Sequence, residues 1–120
     1  MSAYKLFEAE YNLMDIIWDH EPINSTELVK KAEETLGWKK STTYTVLRKL
    51  VHKGFLRNEE ATVSALVSRE EALYAESKDF LDRFFQGSLP SFLASFTGEG
   101  KLSEKELAEI RKMMEEGENG

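Results

Sequence analysis

The segment from residue 39 to residue 54, KKSTTYTVLRKLVHKG, constrains the fold of this chain more than any other. Its apolar residues recur at steps of three and four, the spacing of one face of an α-helix. They are Val46, Leu47, Leu50 and Val51. A second face at the same spacing carries hydroxyls and cations and no carboxylate. It consists of Thr42, Thr45, Lys49 and either His52 or Lys53. The segment therefore predicts an amphipathic helix with a positively charged outer face.

Positive charge is concentrated around this helix. The chain of 120 residues has a formal net charge of -6, yet no Asp or Glu occurs between Gly37 and Arg57. Lys and Arg neutralise phosphates and short polar side chains approach base edges, so such a face suits a helix that reads duplex DNA. Many amphipathic helices carry charge only to stay solvated, so the segment alone favours DNA binding and a plain solvated surface about equally.

A first helix is predicted over residues 7–20, which carry an apolar face at helical spacing. The pair Glu21-Pro22 ends it, because proline disfavours the helical conformation in the residue before it. Ile23 then forms a short extended bridge, which suits a small strand.

A second helix is predicted over Ser25–Leu36. Asn24 has the character of an N-cap, with Glu27 three residues later completing a capping box. Gly37 supplies a left-handed residue at the C-terminus, and Ser41 is expected to cap the third helix. Two helices joined by a short glycine-containing turn, the second of them cationic, indicate a helix-turn-helix.

Two short β-prone runs follow the cationic helix. They are residues 55–57 and Thr62–Val67, separated by Asn58–Ala61, and this pattern predicts a hairpin. A hairpin after a helix-turn-helix is typical of a winged helix. We therefore predict a mainly α fold with a small β-hairpin, in which residues 1–67 form a winged-helix DNA-binding domain.

Residues 68–120 are predicted to form a helical dimerisation domain. One helix begins at a capping box of Ser68 and Glu71, a short helix follows Ser88, and the last begins at a box of Ser103 and Glu106. Five of the seven phenylalanines lie in this region. Three short helices cannot bury so many rings against each other, so we favour a dimer interface over packing onto the winged helix. The expected interface residues are Leu73, Phe80, Leu81, Phe84, Phe85, Leu89, Phe92, Leu93, Phe96, Ile110 and Met113.

Four segments together resemble one protein family. They are EYNLMDIIW at 10–18, STTYTVLRKL at 41–50, KGFL at 53–56 and LVSREE at 66–71. In this combination the chain resembles the penicillinase and methicillin-resistance repressors (BlaI/MecI) and their copper-responsive relatives over nearly its whole length. The resemblance implies a winged-helix transcriptional repressor that binds a palindromic double-stranded DNA operator as a homodimer.

The resemblance also implies which residues face DNA. Thr42, Thr45 and Lys49 match the exposed face of the family's recognition helix. The full expected set of DNA-binding residues is Lys39, Lys40, Ser41, Thr42, Thr45, Arg48, Lys49, Lys53 and Arg57. Wings in the family are commonly longer and carry a glycine and a cation near the tip. The tip here, residues 58–61, is short and acidic, so we expect Arg57 at its base to be the wing's contact with DNA.

Some members of the family are inactivated by proteolysis in the dimerisation helices, before a phenylalanine. The matching bond is Ser95-Phe96, where those members carry Asn-Phe. Because the preceding residue differs, we favour a packing role for Phe96 over cleavage by a sensor protease. The signal that relieves repression stays open.

Several classes of function are excluded by the residues. Cysteine is absent, which excludes disulfides, thiolate metal sites and cysteine nucleophiles and fits a reducing cytoplasm. His20 and His52 have no further ligands at metal-binding spacing, and no phosphate-binding loop or catalytic motif occurs. No window approaches the roughly 20 apolar residues of a membrane span. We expect a cytoplasmic protein with no enzymatic activity, no metal and no cofactor.

Two alternatives stay open beside the repressor. One is a winged-helix module that binds an acidic protein partner through the basic helix. The other is a regulator that senses a small molecule among the phenylalanine-rich helices. Steep salt dependence of DNA binding and strong preference for one palindrome distinguish a repressor from the first.

Overall fold

The computed structural model describes residues 6–98 and 101–119, with side chains described as far as residue 117. Within these residues the elements in order are α1 Glu8–His20, β1 Ile23–Asn24, α2 Ser25–Leu36, α3 Lys40–His52, β2 Leu56–Glu59, β3 Thr62–Ala65, α4 Arg69–Phe84, α5 Leu89–Ala94 and α6 Glu104–Asn119. None of these helices combines the length and the apolar character needed to cross a bilayer. The predicted fold class is confirmed: the chain is mainly helical with a small antiparallel sheet. The described residues up to Asp79 form one compact unit, and those from Phe80 onward form a second.

Helix α2 has the bounds predicted from its ends. Asn24 is the N-cap, as predicted. Its Oδ1 accepts a hydrogen bond from the Thr26 backbone N–H at 2.8 Å, and not from the Glu27 N–H as the predicted capping box requires. At the other end Gly37 is left-handed, with φ of 71°, and its N–H donates to the Glu33 carbonyl at 3.0 Å. Capping at both ends satisfies backbone groups that the helix itself leaves unpaired, so the bounds depend on local sequence.

Helix α3 begins earlier than predicted. Its N-cap is Lys39, so the prediction that Ser41 caps it was wrong. Thr43 is fully buried, and both its backbone N–H and its Oγ1 donate to the Lys39 carbonyl, at 3.1 and 3.3 Å. The bond from the Thr43 N–H to the Lys39 carbonyl is a helical i to i−4 bond, so the helix begins at Lys40. Ser41 is left in the first turn with its side chain exposed.

Strands β2 and β3 form the predicted hairpin. Glu59 pairs with Thr62, so the turn contains only Glu60 and Ala61. Both adopt positive φ, 51° and 64°, which is the geometry of a type I′ turn. The short strand expected at Ile23 is also present, and it makes a three-stranded sheet of order β1-β3-β2.

The first unit has one hydrophobic core beneath α1, α2, α3 and the sheet. Phe55, which directly follows α3, is 1% exposed and is the largest fully buried side chain. Val51, predicted for the apolar stripe of α3, lies at its edge and is exposed, while Thr43 is buried in that stripe. The buried apolar residues are Leu6, Leu13, Met14, Ile16, Ile17, Ile23, Leu28, Ala32, Val46, Leu47, Leu50, Phe55, Leu56, Val63, Val67 and Ala72.

The start of α4 is held to α1. Arg69 donates to Oδ1 of Asp19 at 2.9 Å and to Oδ1 of Asp15 at 3.0 Å. Hydrogen bonds to Asp19 and then Asp15 raise the pKa of Arg69 above its ordinary value. Its guanidinium lies 5.3 Å from the centre of the Trp18 ring, and Nε1 of Trp18 donates to the Val67 carbonyl at 2.9 Å. These contacts hold the start of α4 within the first unit.

Two predicted capping boxes are confirmed, one in each unit. The Glu71 N–H donates to Oγ of Ser68 at 3.0 Å, and the Ser68 N–H donates back to Glu71 at 3.3 Å. The Glu106 N–H donates to Oγ of Ser103 at 3.1 Å, and the Ser103 N–H donates back to Glu106 at 3.2 Å. Reciprocal capping of this kind is local, so the sequence is sufficient to place it.

The second unit consists of the end of α4 with α5 and α6. Its phenylalanine rings form one cluster, with neighbouring centroids 5.1 to 6.0 Å apart. The rings belong to Phe80, Phe84, Phe85, Phe92 and Phe96. No side chain in the described part of this unit is buried. The rings therefore contact each other without forming a closed core.

Candidate nucleic-acid interface

The outer side of α3 is a continuous polar surface. Its inner side packs toward α1 and α2 and consists of Thr43, Val46, Leu47 and Leu50. At 3.6 residues per turn, the positions directly opposite form one line along the helix. That line consists of Ser41, Thr45, Arg48 and His52, all of them exposed. Of the three residues that match the family's exposed recognition face, Thr45 is central on this line, and Thr42 and Lys49 lie toward one flank. Arg48, predicted only as a DNA-binding residue beside that face, is also central.

The opposite flank contains a residue that sequence reasoning missed. Tyr44 is half-buried and lines a shallow depression together with Lys40, Ser41, Thr45 and Arg48. Nζ of Lys40 lies 5.9 Å from the centre of its ring. Tyr44 follows Lys40 by four residues and precedes Arg48 by four, so the spacing alone places it on the same face.

Hydrogen bonding decides what Thr45 offers to a ligand. Its Oγ1 donates to the Ser41 carbonyl one turn earlier, at 2.9 Å. Because the hydroxyl hydrogen is engaged, the side chain presents a methyl group and oxygen lone pairs outward. These groups suit contact with a thymine methyl or acceptance from a base amino group in a major groove.

The predicted DNA-binding cations divide into those that form an ion pair, Lys53 and Arg57, and those that form none. The second class has no ion pair within the described part of the chain, and all its members are exposed. It consists of Lys39, Lys40, Arg48 and Lys49. Lys53 differs, because its Nζ lies 2.6 Å from Oε1 of the buried Glu10. The N-terminal and central parts of α3 therefore carry charge that no carboxylate of the described residues compensates.

The wing carries opposite charges side by side. Nε of Arg57 lies 3.5 Å from Oε1 of Glu59, and both side chains are more than half exposed, so this pair contributes little to stability. Glu60 occupies the turn beside them and is exposed. The acidic tip predicted from the sequence is thus placed at the end of the hairpin, with Arg57 toward its base.

The expected dimerisation residues leave much apolar surface in water. Exposed members are Leu73, Phe80, Phe84, Leu89, Phe96 and Met113, and half-buried members are Leu81, Phe85, Phe92, Leu93 and Ile110. Leu73 belongs to the first unit and the others to the second. Leu107 and Met114, both exposed on α6, extend the apolar set beyond the prediction.

The Ser95-Phe96 bond lies directly after α5. Ser95 is the C-cap of that helix, and its Oγ donates to the Phe92 carbonyl at 2.6 Å. Phe96 is exposed, although its ring centroid lies 5.1 Å from that of Phe92. The bond therefore joins a capped helix end to a member of the ring cluster.

Comparison with known proteins supports the same reading of the chain. The penicillinase repressor family profile matches residues 6–116. The penicillinase repressor of Bacillus licheniformis is 29% identical over 119 residues, which cover 96% of this chain and 93% of that protein. The methicillin resistance regulatory protein MecI of Staphylococcus aureus is 25% identical over 116 residues, covering 93% of this chain and 94% of MecI.

A solved structure matches part of the chain. The solution structure of the DNA binding domain of the repressor BlaI superposes with a TM-score of 0.53 at 26% identity, covering 57% of this chain and 89% of that domain. The family profile spans nearly the whole sequence, and the resemblance expected from the residues is confirmed. The chain belongs to the penicillinase repressor family of DNA-binding transcriptional repressors.

Proposed function

We propose that this protein represses transcription by binding a palindromic operator as a homodimer, with α3 of each copy in the major groove of one half-site. The observation that carries the proposal is the outer side of α3, where exposed cations and hydroxyls occur without a carboxylate in an otherwise acidic chain. Bound at an operator, two such helices exclude RNA polymerase by occupancy.

Different residues of the face take different roles. Lys39 and Lys40, at the start of α3, contact phosphates, because unpaired cations there release counterions from the duplex. The N-terminal part of a recognition helix enters the groove first, so Ser41 and Thr45 approach base edges. Arg48, central and one turn further on, has the fork of donors that guanine O6 and N7 accept.

The wing contributes little to affinity in this proposal. Glu59 and Glu60 repel phosphates, and Arg57 is the wing's cation. Its exposed pair with Glu59 is weak enough to exchange for a phosphate oxygen. Arg57 is therefore the single wing contact that we assign.

The homodimer is proposed from the apolar surface of the second unit. Burying four phenylalanine side chains contributes about 1.5–3 kcal/mol each. That sum is of the same order as the cost of association, about 4–15 kcal/mol. Dimerisation would place two recognition helices about 34–36 Å apart, so that two half-sites are read together.

Relief of repression is a separate proposal. Cleavage at Ser95-Phe96 by a sensor protease would cut the chain between α5 and Phe96 and weaken the dimer, as the resemblance implies. Because a serine precedes Phe96 where the cleaved members carry asparagine, we favour a packing role for Phe96 over cleavage. The proposed site of action is the cytoplasm, where a repressor meets the chromosome.

The test is selection from a pool of random duplexes, followed by salt titration of the selected duplex and of a scrambled one. We expect a palindrome, with affinity at least about a thousandfold above the scrambled duplex at physiological salt. Affinity for both should fall steeply with salt. Lys40→Ala should reduce the salt slope, whereas Lys105→Ala, an exposed lysine of α6, should not. A shallow slope without sequence preference would favour the protein-binding module instead.

A further inference from the structure

Lys53 lies where the recognition helix meets the wing. It is the C-cap of α3, its backbone N–H donates to the Lys49 carbonyl at 2.9 Å, and Gly54 and the buried Phe55 follow it. Its Nζ is 2.6 Å from Oε1 of Glu10 and 4.6 Å from the centre of the Phe7 ring. The side chain therefore points from the end of α3 to the first turn of α1.

Glu10 is held at that place independently of Lys53. The residue is 3% exposed, and its Oε1 also accepts the Phe7 backbone N–H at 2.9 Å, as part of the capping arrangement of α1. Its Oε2 has no hydrogen-bond partner within the part of the chain that the structure describes. A buried carboxylate with so few donors depends strongly on the one cation beside it.

The pair changes what Lys53 can do for DNA. The ion pair, with its two atoms 2.6 Å apart, has no net charge, so it does not attract DNA phosphates at long range. For the same reason it releases few counterions from DNA on binding. Lys49, one turn earlier, is exposed and has no ion pair among the described residues. The two lysines have similar positions in the sequence pattern, but the charge of Lys53 is neutralised by Glu10 and that of Lys49 is not.

We propose that Lys53 is a positioning residue and not a phosphate contact, and that its pair with Glu10 fixes the C-terminal end of the recognition helix against α1. This inference rests on the proposed operator binding by α3. Since Phe55 and β2 follow within a few residues, the same pair sets the direction in which the wing leaves the helix. The Lys53–Glu10 pair should strengthen specific binding, because specific binding needs the recognition helix in one orientation. It should affect non-specific binding little, because non-specific binding tolerates several orientations.

The test compares Lys53→Met with Lys49→Met by anisotropy titration on a selected half-site duplex and on a scrambled duplex, at several salt concentrations. Lys53→Met leaves the Glu10 carboxylate uncompensated, so the salt slope is compared in E10Q/K53M, which removes both charges, and there we expect the wild-type value. For Lys53→Met, specific affinity should fall about tenfold or more, equivalent to about 1.4 kcal/mol, while affinity for the scrambled duplex stays within about twofold. For Lys49→Met the slope should fall by about 0.9 per bound copy.

Glu10→Gln gives a second, independent arm. It keeps an oxygen to accept the Phe7 N–H but removes the charge that holds Lys53. We expect the ratio of specific to non-specific affinity to fall as it does for Lys53→Met. If Lys53 were a phosphate contact, freeing it from Glu10 would raise both affinities and steepen the slope, leaving their ratio unchanged.

The double variant E10Q/K53M removes both charges and guards against loss of folding in the single variants. Circular dichroism checks that each variant is folded. A salt slope reduced by about 0.9 in the double variant would overturn the positioning role. Selection with the wild-type protein tests the proposed function separately. If it selects no sequence, operator binding is wrong, and this result does not depend on any Lys53 or Glu10 variant.

Discussion

The two units of this protein use apolar residues in opposite ways. The first unit encloses sixteen buried apolar side chains, among them Phe55 and Leu47. The second unit has a denser set of phenylalanines, and none of its described side chains is buried. Both contain helices with well-formed caps, so the difference lies in packing and not in helix formation.

The comparison shows what each unit requires from a partner. A closed core leaves the first unit free to expose a polar, cationic face, whose natural partner is a polyanion. The second unit leaves large rings such as Phe84 in water, at 63% exposure, and apolar surface of that kind marks an association site. Hence DNA affinity and self-association should respond to mutations in different units.

The largest effect expected separates the two kinds of phenylalanine. Phe55→Ala should lower the free energy of unfolding by about 3–5 kcal/mol, because it empties a closed core. Phe84→Ala should change it by less than about 0.5 kcal/mol when the chain is monomeric. Urea denaturation at low protein concentration measures both. Equal losses of unfolding free energy in the two variants would mean that the second unit has a closed core of its own, and the contrast between the two units would be wrong.

Charge inserted into the ring cluster should break self-association. Phe92→Asp should raise the dimer dissociation constant at least about a hundredfold, near 3 kcal/mol, since a central aromatic anchor is replaced by a carboxylate. Sedimentation equilibrium measures this constant. Ser91→Asp, which adds the same charge to α5 without removing a ring, is the control. Affinity for a single half-site should not change in either variant, and a matching loss there would tie the ring cluster to DNA contact.

Substitutions on α3 should affect DNA binding and leave the dimer intact. Arg48→Ala should weaken specific binding by about 1–3 kcal/mol and relax preference at one base pair, whereas Lys49→Ala, on the flank of the face, should weaken binding to all duplexes by a smaller amount. Selection of preferred sites by each variant measures the base preference. An unchanged footprint and affinity for both would mean that another face of the helix enters the groove.

The smallest effect concerns the turn of the wing. Glu60 and Ala61 both have positive φ, a conformation that costs residues with a Cβ atom. Replacing them with the Asn-Gly that type I′ turns prefer should raise the free energy of unfolding by about 1 kcal/mol, as measured by urea denaturation. Glu60→Gln, which removes the charge and keeps the conformation, is the control. A gain in the control as large as in the double variant would assign the effect to charge.

Local signals were sufficient for much of the fold. Helix α2 was predicted with its observed bounds, because its N-cap and left-handed glycine lie within the segment itself. The hairpin and both later capping boxes depend on residues at most a few positions apart, and they were also found. The predicted start of α3 was wrong, because the buried Thr43 donates both its N–H and its Oγ1 to the Lys39 carbonyl, and these bonds place the N-cap at Lys39 and not at the better capping residue Ser41.

The sequence by itself determined the helix-turn-helix, the hairpin and the cationic face of α3, since periodicity, caps and turn residues act over a few positions. Only the tertiary structure decided which of the cations are free. Lys53 and Lys49 are equivalent in the sequence pattern, but a buried carboxylate 43 residues away neutralises one of them. An ion pair of that kind forms only after the chain has packed α1 against α3, so no local pattern contains it.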